Sequence, residues 1–209
     1  MQGLFITFEG IEGSGKSTQM KLLADKLAAL GYTCLLTREP GGPPIAEHIR
    51  RLLLDPEHGE MLPETELLLY SASRAQHTGE WILPALKAGK VVLCDRYYDS
   101  TFAYQGAARS LDPGFIHPLT EFATFHTVPD LTFLLDLEVE AGLARINARQ
   151  LDRLEQEDKA FHERVRQQYL SLALEQALRI TVIDASLPAA KIHVLVLDKV
   201  LSLLGVSHA

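Results

Sequence analysis

Gly10-Ile-Glu-Gly-Ser-Gly-Lys-Ser17, followed by Thr18, sets three glycines, a lysine and a hydroxyl at the spacing GxxxxGK[ST], a pattern with a chemical purpose. Gly10, Gly13 and Gly15 allow backbone conformations and a close approach that a Cβ would obstruct. Successive N–H groups can then turn into one concavity and bind phosphate oxygens, with Ile11, Glu12 and Ser14 completing the loop. Lys16 is spaced to reach the β and γ phosphates, and Ser17 to ligate Mg²⁺ through its hydroxyl. A second stretch points the same way: Val91-Val-Leu-Cys-Asp95 is four apolar residues leading to a carboxylate. Asp95 can hold the Mg²⁺ shell there, directly or through water, while Arg96 is free to meet phosphate. The alternative is an Asp95 that caps the next helix and pairs with Arg96. Arg145, Arg149 and Arg153 follow one another at intervals of four, so on one helix they would lie along one side. Spacing alone favours a solvated face for them, with Arg153 pairing with Glu157.

The elements that must position these groups are legible around them. Leu4 to Phe8 is an apolar run entering the loop, as expected of a strand buried on both faces of a parallel sheet. Met20, Leu23, Leu27 and Leu30 recur at helical spacing until Gly31, so a helix leaves it, with Lys16 at its start and expected outside the core. Tyr32 to Thr37 reads as a second strand, ending in the turn cluster Arg38 to Pro44. Ile45 to Leu54 reads as a helix carrying Arg50 and Arg51, and Pro63 to Leu86 as a long helical pattern interrupted near Gly79 and Pro84. Val91 to Asp95, Leu131 to Asp136 and Ile180 to Asp184 complete five strands alternating with helices, and Pro188 to Leu204 reads as a final amphipathic helix. The expected fold is α/β: a five-stranded, parallel, doubly wound sheet with the site outside its carboxyl edge.

At 209 residues and 47% hydrophobic, the chain fits a single domain spanning 1–209. A net charge of -7 argues against a general binder of nucleic-acid polymers or anionic membranes, so phosphate affinity must come from local Arg and Lys. Cys34 and Cys94 fall in apolar strand-like runs without CxxC spacing, which reads as buried thiols in a reducing, cytoplasmic compartment. No segment reaches about 18 consecutive apolar residues, and the N-terminus has no basic leader, so no membrane span or export is expected. The eight histidines show no repeated ligand spacing and no protein-built metal site is expected from them.

With these stretches in place the chain resembles the thymidylate kinases over nearly its whole length. The resemblance rests on Phe8-Glu-Gly10 with the loop, Thr37 to Gly42 (Thr-Arg-Glu-Pro-Gly-Gly), Tyr70 through Arg74, Asp95-Arg-Tyr97, Ser100-Thr101, Ala103 to Gly106 and Leu151 to Glu155. It implies a P-loop nucleoside monophosphate kinase fold, ATP and Mg²⁺ as cofactors, transfer of phosphate from ATP to dTMP, a homodimer, and a lid segment near 142–156. It also implies residue roles. Glu12 matches the carboxylate that contacts the sugar 3'-hydroxyl, and Arg50 and Arg96 match the arginines that hold the acceptor phosphate. Tyr70 matches the ring stacked on thymine, Arg74 the arginine near O4, and Ser100 a base-edge contact. Tyr104 matches the residue crowding the 2' position, with Gln105 in the same pocket. Several departures stand out: Tyr70 where Phe is more common, Pro43-Pro44 where a Thr is common, and a slightly shorter lid with Asn147 where another Arg can stand. Gly13, in place of a loop arginine, matches the bacterial subgroup whose catalytic arginines lie in the lid. That moves Arg149 and Arg153 from surface charge to catalytic candidates beside Lys16 and Arg96.

Two rivals are weighed against this reading. One is another small-molecule kinase of the same architecture, acting on a nucleoside or a different nucleotide. The other is a nucleotide-dependent switch or scaffold. A guanine switch needs an NKxD element, and the only Asn in the chain is Asn147, followed by Ala. A scaffold would leave the pocket residues without a use.

Overall fold

The computed structural model describes residues 3–146 and 150–206. Five parallel strands form one sheet in the order β2-β3-β1-β4-β5: β1 Leu4–Glu9, β2 Cys34–Arg38, β3 Val91–Asp95, β4 Leu131–Asp136 and β5 Ile180–Asp184. β1 lies between β3 and β4, with Ile6 beside Leu93 on one side and Leu131 on the other. The three inner strands are almost wholly buried while β2 and β5 are partly exposed. This is why the inner strands read as unbroken apolar runs: helices cover both of their faces.

The helices α1 Lys16–Ala29, α2 Pro44–Leu54 and α3 Pro63–His77 follow the expected pattern. α3 is not broken at Gly79. It widens into a π turn over Thr78–Ile82 and resumes as α4 Leu83–Lys87, with Pro84 just after the wider turn, which accommodates its ring and its missing N–H. α5 Tyr98–Thr101 runs into a second π segment, Phe102–Ala108, and α6 Pro113–Ala123 follows. α7 Val139–Ile146, α8 Lys159–Glu175 and α9 Ala189–Leu203 complete the described elements. One expectation fails here. Arg153 does not continue the helix that carries Arg145, because it lies in turns between α7 and α8, so the three arginines do not form one stripe. Cys94 is buried, whereas Cys34, on an edge strand, is only half-buried, and both thiols are free.

Candidate active site

The carboxyl ends of β1, β2 and β3 open onto one cleft of about 450 Å³. The loop after β1 forms its floor. Lys16, placed by the first turn of α1, folds back over that loop, its Nζ donating to Gly10 O at 3.0 Å and Ile11 O at 2.9 Å, with Ser14 Oγ at 3.4 Å. Contrary to expectation it is buried. Burial and the nearby Arg96 lower its pKa to about 8, because a desolvated ammonium beside another cation is disfavoured. The site holds a cation in waiting for negative charge. Gly13 sits at φ 73°, and a Cβ on it would strike the backbone of Gly142 on α7. The missing side chain lets α7 approach, and Arg145 Nη1 then donates to Gly13 O at 2.9 Å.

Ser17 Oγ donates to Asp95 Oδ2 at 2.8 Å, which joins the first turn of α1 to the end of β3. Both are hard oxygen donors on the cleft wall beside Thr18. Arg96, next along, takes a left-handed φ of 70° while its backbone N donates to Phe8 O. Its Nη2 reaches Glu12 Oε1 at 2.7 Å, its Nη1 reaches Tyr169 OH at 3.0 Å, and its guanidinium lies 5.0 Å over the Tyr104 ring. Tyr104 OH also donates to Glu12 Oε1, at 2.6 Å. Burial pushes the Glu12 carboxyl up, but Arg96, Lys16 and the Tyr104 hydrogen bond outweigh it and hold it below the usual carboxylate range.

On the far side of the cleft Tyr70 and Arg50 line the wall, Arg50 Nη1 donating to Pro40 O at 2.7 Å. Arg74, 1% exposed, is fixed by Glu39 at 2.7 Å, Thr101 Oγ1 at 2.8 Å and Tyr97 O at 3.1 Å, and still borders the cleft. Ser100 and Gln105 line it too. Ser100 Oγ donates to Glu9 Oε2 at 2.7 Å, and Gln105 Nε2 donates to Glu66 Oε1 at 2.8 Å.

The sequence-predicted residues therefore converge, with two exceptions. Arg153 is turned into the protein: its Nε donates to Leu53 O at 2.9 Å, its Nη2 meets Glu66 Oε2 at 2.7 Å, and it does not border the cleft. Glu157, the surface partner expected for it, pairs with Arg109 at 2.6 Å instead. The physical reason is that a buried carboxylate at Glu66 needs compensating charge and captures the nearest guanidinium. Arg149, proposed for catalysis, lies outside the described residues.

Several groups escaped the sequence reading. Glu9 accepts from Tyr97 N at 2.7 Å, Ser100 Oγ at 2.7 Å and Tyr169 OH at 2.9 Å. Burial, with Asp99 nearby, raises its pKa to about 7. A carboxylate ending an apolar strand was available as a signal, the same one that marked Asp95. Tyr169, Glu66 and His162 gave none: they sit on the buried sides of α8 and α3, where spacing reads as core. Asp152 and Glu155 border the cleft from the turns after α7.

A family model described as Thymidylate kinase matches residues 8–196. The thymidylate kinase of Syntrophotalea carbinolica is 53% identical over 189 residues, covering 87% of this chain and 88% of that protein. That of Trichlorobacter lovleyi is 49% identical, covering 97% and 99%. The crystal structure of thymidylate kinase from Ehrlichia chaffeensis matches with a TM-score of 0.79 at 33% identity, covering 96% of this chain and all of that one.

Proposed function

The chain belongs to the thymidylate kinase family, and from that premise we propose that it transfers the γ-phosphoryl group of ATP to dTMP, giving dTDP. The observation that carries this reading is that a phosphate-binding loop, Tyr70, Arg74 and Arg96 all line one cleft. The loop suits a triphosphate, Tyr70 and Arg74 suit a pyrimidine nucleotide, and Arg96 supplies a cation for the phosphoryl charge that is exchanged.

In this reading Gly10 to Thr18 cradle the ATP phosphates and Lys16 meets the β and γ oxygens. Arg50 and Arg96 hold the acceptor phosphate, and Glu12 receives the sugar 3'-hydroxyl. Tyr70 stacks on the base, Arg74 donates to it and Ser100 meets its edge. The Tyr104 ring, packed under Arg96, fills the space a ribose 2'-hydroxyl would need. The paired oxygens of Ser17 and Asp95 suit Mg²⁺ and would hold it. Bound there, the ion would neutralise charge on the ATP phosphates. No general base is needed, because a phosphomonoester with its second pKa near about 6 is already largely ionised at neutral pH. The segment near 142–156 serves as the lid, bringing Arg149 over the transferred group. Arg153 supports the wall behind the base pocket through Glu66.

We extend the reading to a homodimer in the cytoplasm. α2, α3 and α6, with α3 packed against the other two, leave Ile45, Leu52, Leu68, Phe115 and Phe122 exposed, apolar surface that a second copy of the chain would cover. Among the described residues no helix is long and apolar enough to cross a membrane. The test of activity is transfer of labelled γ-phosphate from Mg-ATP to each nucleoside monophosphate. The expected outcome is preference for dTMP, and equal or better turnover of AMP, GMP, CMP or UMP overturns the reading.

A further inference from the structure

Glu66 lies on α3 with none of its surface exposed. Its Oε2 meets Arg153 Nη2 at 2.7 Å and accepts from Arg109 Nη2 at 3.1 Å, and its Oε1 accepts from Gln105 Nε2 at 2.8 Å and, more distantly, from Arg109 Nε at 3.4 Å. A carboxylate held by two guanidinium groups has only acceptor capacity to offer. The Gln105 amide must therefore turn its NH₂ toward Glu66, since the reverse would set two acceptor oxygens against each other at hydrogen-bond distance. Gln105 borders the same cleft as Tyr70 and Arg74, so the end of the amide left for a ligand is its carbonyl oxygen. Arg74 is fixed just as firmly and has only donors.

The wall thus offers an acceptor at Gln105 and donors at Arg74. A pyrimidine with a protonated N3 and a carbonyl at C4 meets both. Cytosine, with a lone pair at N3 and an amine at C4, meets neither. We infer that Glu66 is a specificity-determining positioning residue: it touches no substrate, yet by fixing the Gln105 amide it selects N3–H pyrimidines over cytosine. Arg153 and Arg109 Nη2 share the task by occupying the other carboxylate oxygen, and Gln105 is the nearer of the two donors to Oε1. The inference rests on the reading of this cleft as the dTMP site.

Glu66→Gln gives the test a direction. The new carbonyl stays on the side of Arg153 at 2.7 Å and Arg109 Nη2 at 3.1 Å, closer donors than the Arg109 Nε at 3.4 Å on the Gln105 side, so the new NH₂ falls against Gln105 and turns its amide over. Its NH₂ then faces the cleft. The measurement is kcat/KM for dTMP, dUMP and dCMP in wild type, Glu66→Gln, Gln105→Met and the double variant. Ratios between acceptors on one preparation do not depend on the folded fraction, so a merely structural loss leaves them unmoved. The dTMP:dCMP ratio is expected to fall about tenfold or more in Glu66→Gln, the scale of a buried polar group left mispaired. The dTMP:dUMP ratio holds, because uracil shares the thymine edge. In the Gln105→Met background, Glu66→Gln changes the dTMP:dCMP ratio no further.

A Glu66→Gln ratio within about twofold of wild type overturns the inference, as does an equal drop in the Gln105→Met background. Should Glu66→Gln yield no soluble protein, Gln105→Met alone carries the test: its dTMP:dCMP ratio must fall, and an unchanged ratio overturns the proposal. A wild type that does not prefer dTMP is a different result: it removes the reading of the site, and the inference with it.

Discussion

Arg96 Nη2 and Glu12 Oε1, eighty-four residues apart in the chain, meet at 2.7 Å over the phosphate loop. The pair closes the gap between the ends of β1 and β3, and the Tyr104 hydroxyl seals it from beside by sharing the same oxygen. The second carboxylate oxygen, Oε2, is buried and has no hydrogen-bond donor among the described residues, with His162 Nδ1 3.6 Å away. An acceptor of this kind is costly to bury unless a donor arrives with the substrate.

In the proposed reading the 3'-hydroxyl of dTMP is that donor, which makes Glu12→Gln informative. The variant should lower kcat/KM for dTMP by about tenfold to a hundredfold, the range for a hydrogen bond to a charged group. A 3'-deoxy acceptor should lose much less. If both acceptors suffer alike, Glu12 works through Arg96 and the loop, and the sugar contact is wrong.

Lys16→Ala tests the cradle. Removing a fixed cation from developing phosphoryl charge should cost on the order of 10² or more in kcat/KM. Because Lys16 is a desolvated ammonium, its loss removes an unfavourable burial together with two hydrogen bonds to carbonyls. The two effects oppose, so Tm should stay within about 5 °C of wild type. Near-native transfer by the folded variant would exclude the mechanism.

What could be read in advance followed the range of the forces involved. The strands β3, β4 and β5 were bounded from sequence to the residue, because an apolar run ending in Asp95, Asp136 or Asp184 is a local signal. The phosphate loop and Asp95 are local signals as well. The Arg153 partner was not legible: Glu157 is four residues away and Glu66 eighty-seven, and only the fold reveals that the distant carboxylate is the buried one. Tyr169, which binds Arg96, Ser100 and Glu9 from α8, shares its helix face with Phe161, Val165 and Leu172 and so looks like core. Spacing distinguishes faces of a helix, not what each face meets.

Glu9 makes stability depend on pH. Its folded pKa of about 7 lies above the 4.5 of an ordinary glutamate, so between those values the folded chain keeps a proton that the unfolded chain releases. The contribution is fully present below pH 4.5 and is lost as pH rises through about 7, amounting to about 3 kcal/mol at most. Glu9→Gln, a neutral mimic of the protonated form, should lack this slope. Thermal melts of both proteins from pH 4.5 to 7.5 should therefore show Tm of the variant rising relative to wild type with pH. Parallel curves would mean that Glu9 does not titrate in this window. Lys16 does not confuse the comparison, because its folded pKa of about 8 acts above the window and with opposite sign.

Arg149 and Arg153 should separate into two different kinds of residue. Arg153 is 7% exposed and faces Glu66, so Arg153→Ala leaves that carboxylate with Arg109 and Gln105 as its remaining partners. Partial loss of compensation for a buried charge costs less than the roughly 3–5 kcal/mol of complete loss, and about 2 kcal/mol would lower Tm by about 4–8 °C in a chain of this size. Its kcat should change only a few-fold. Arg149, if it closes over the transferred group as proposed, stabilises charge that appears mainly in the transition state. Arg149→Ala should then lower kcat and kcat/KM together, on the order of 10³, with dTMP binding and Tm nearly unchanged. Steady-state kinetics and a melting curve for each variant decide the matter. A large kcat loss in Arg153→Ala without a change in Tm would mean that the Glu66 contact opens during turnover and that Arg153 joins the reaction. A near-native kcat in Arg149→Ala would remove the lid arginine from the mechanism and leave Lys16 and Arg96 as its cations.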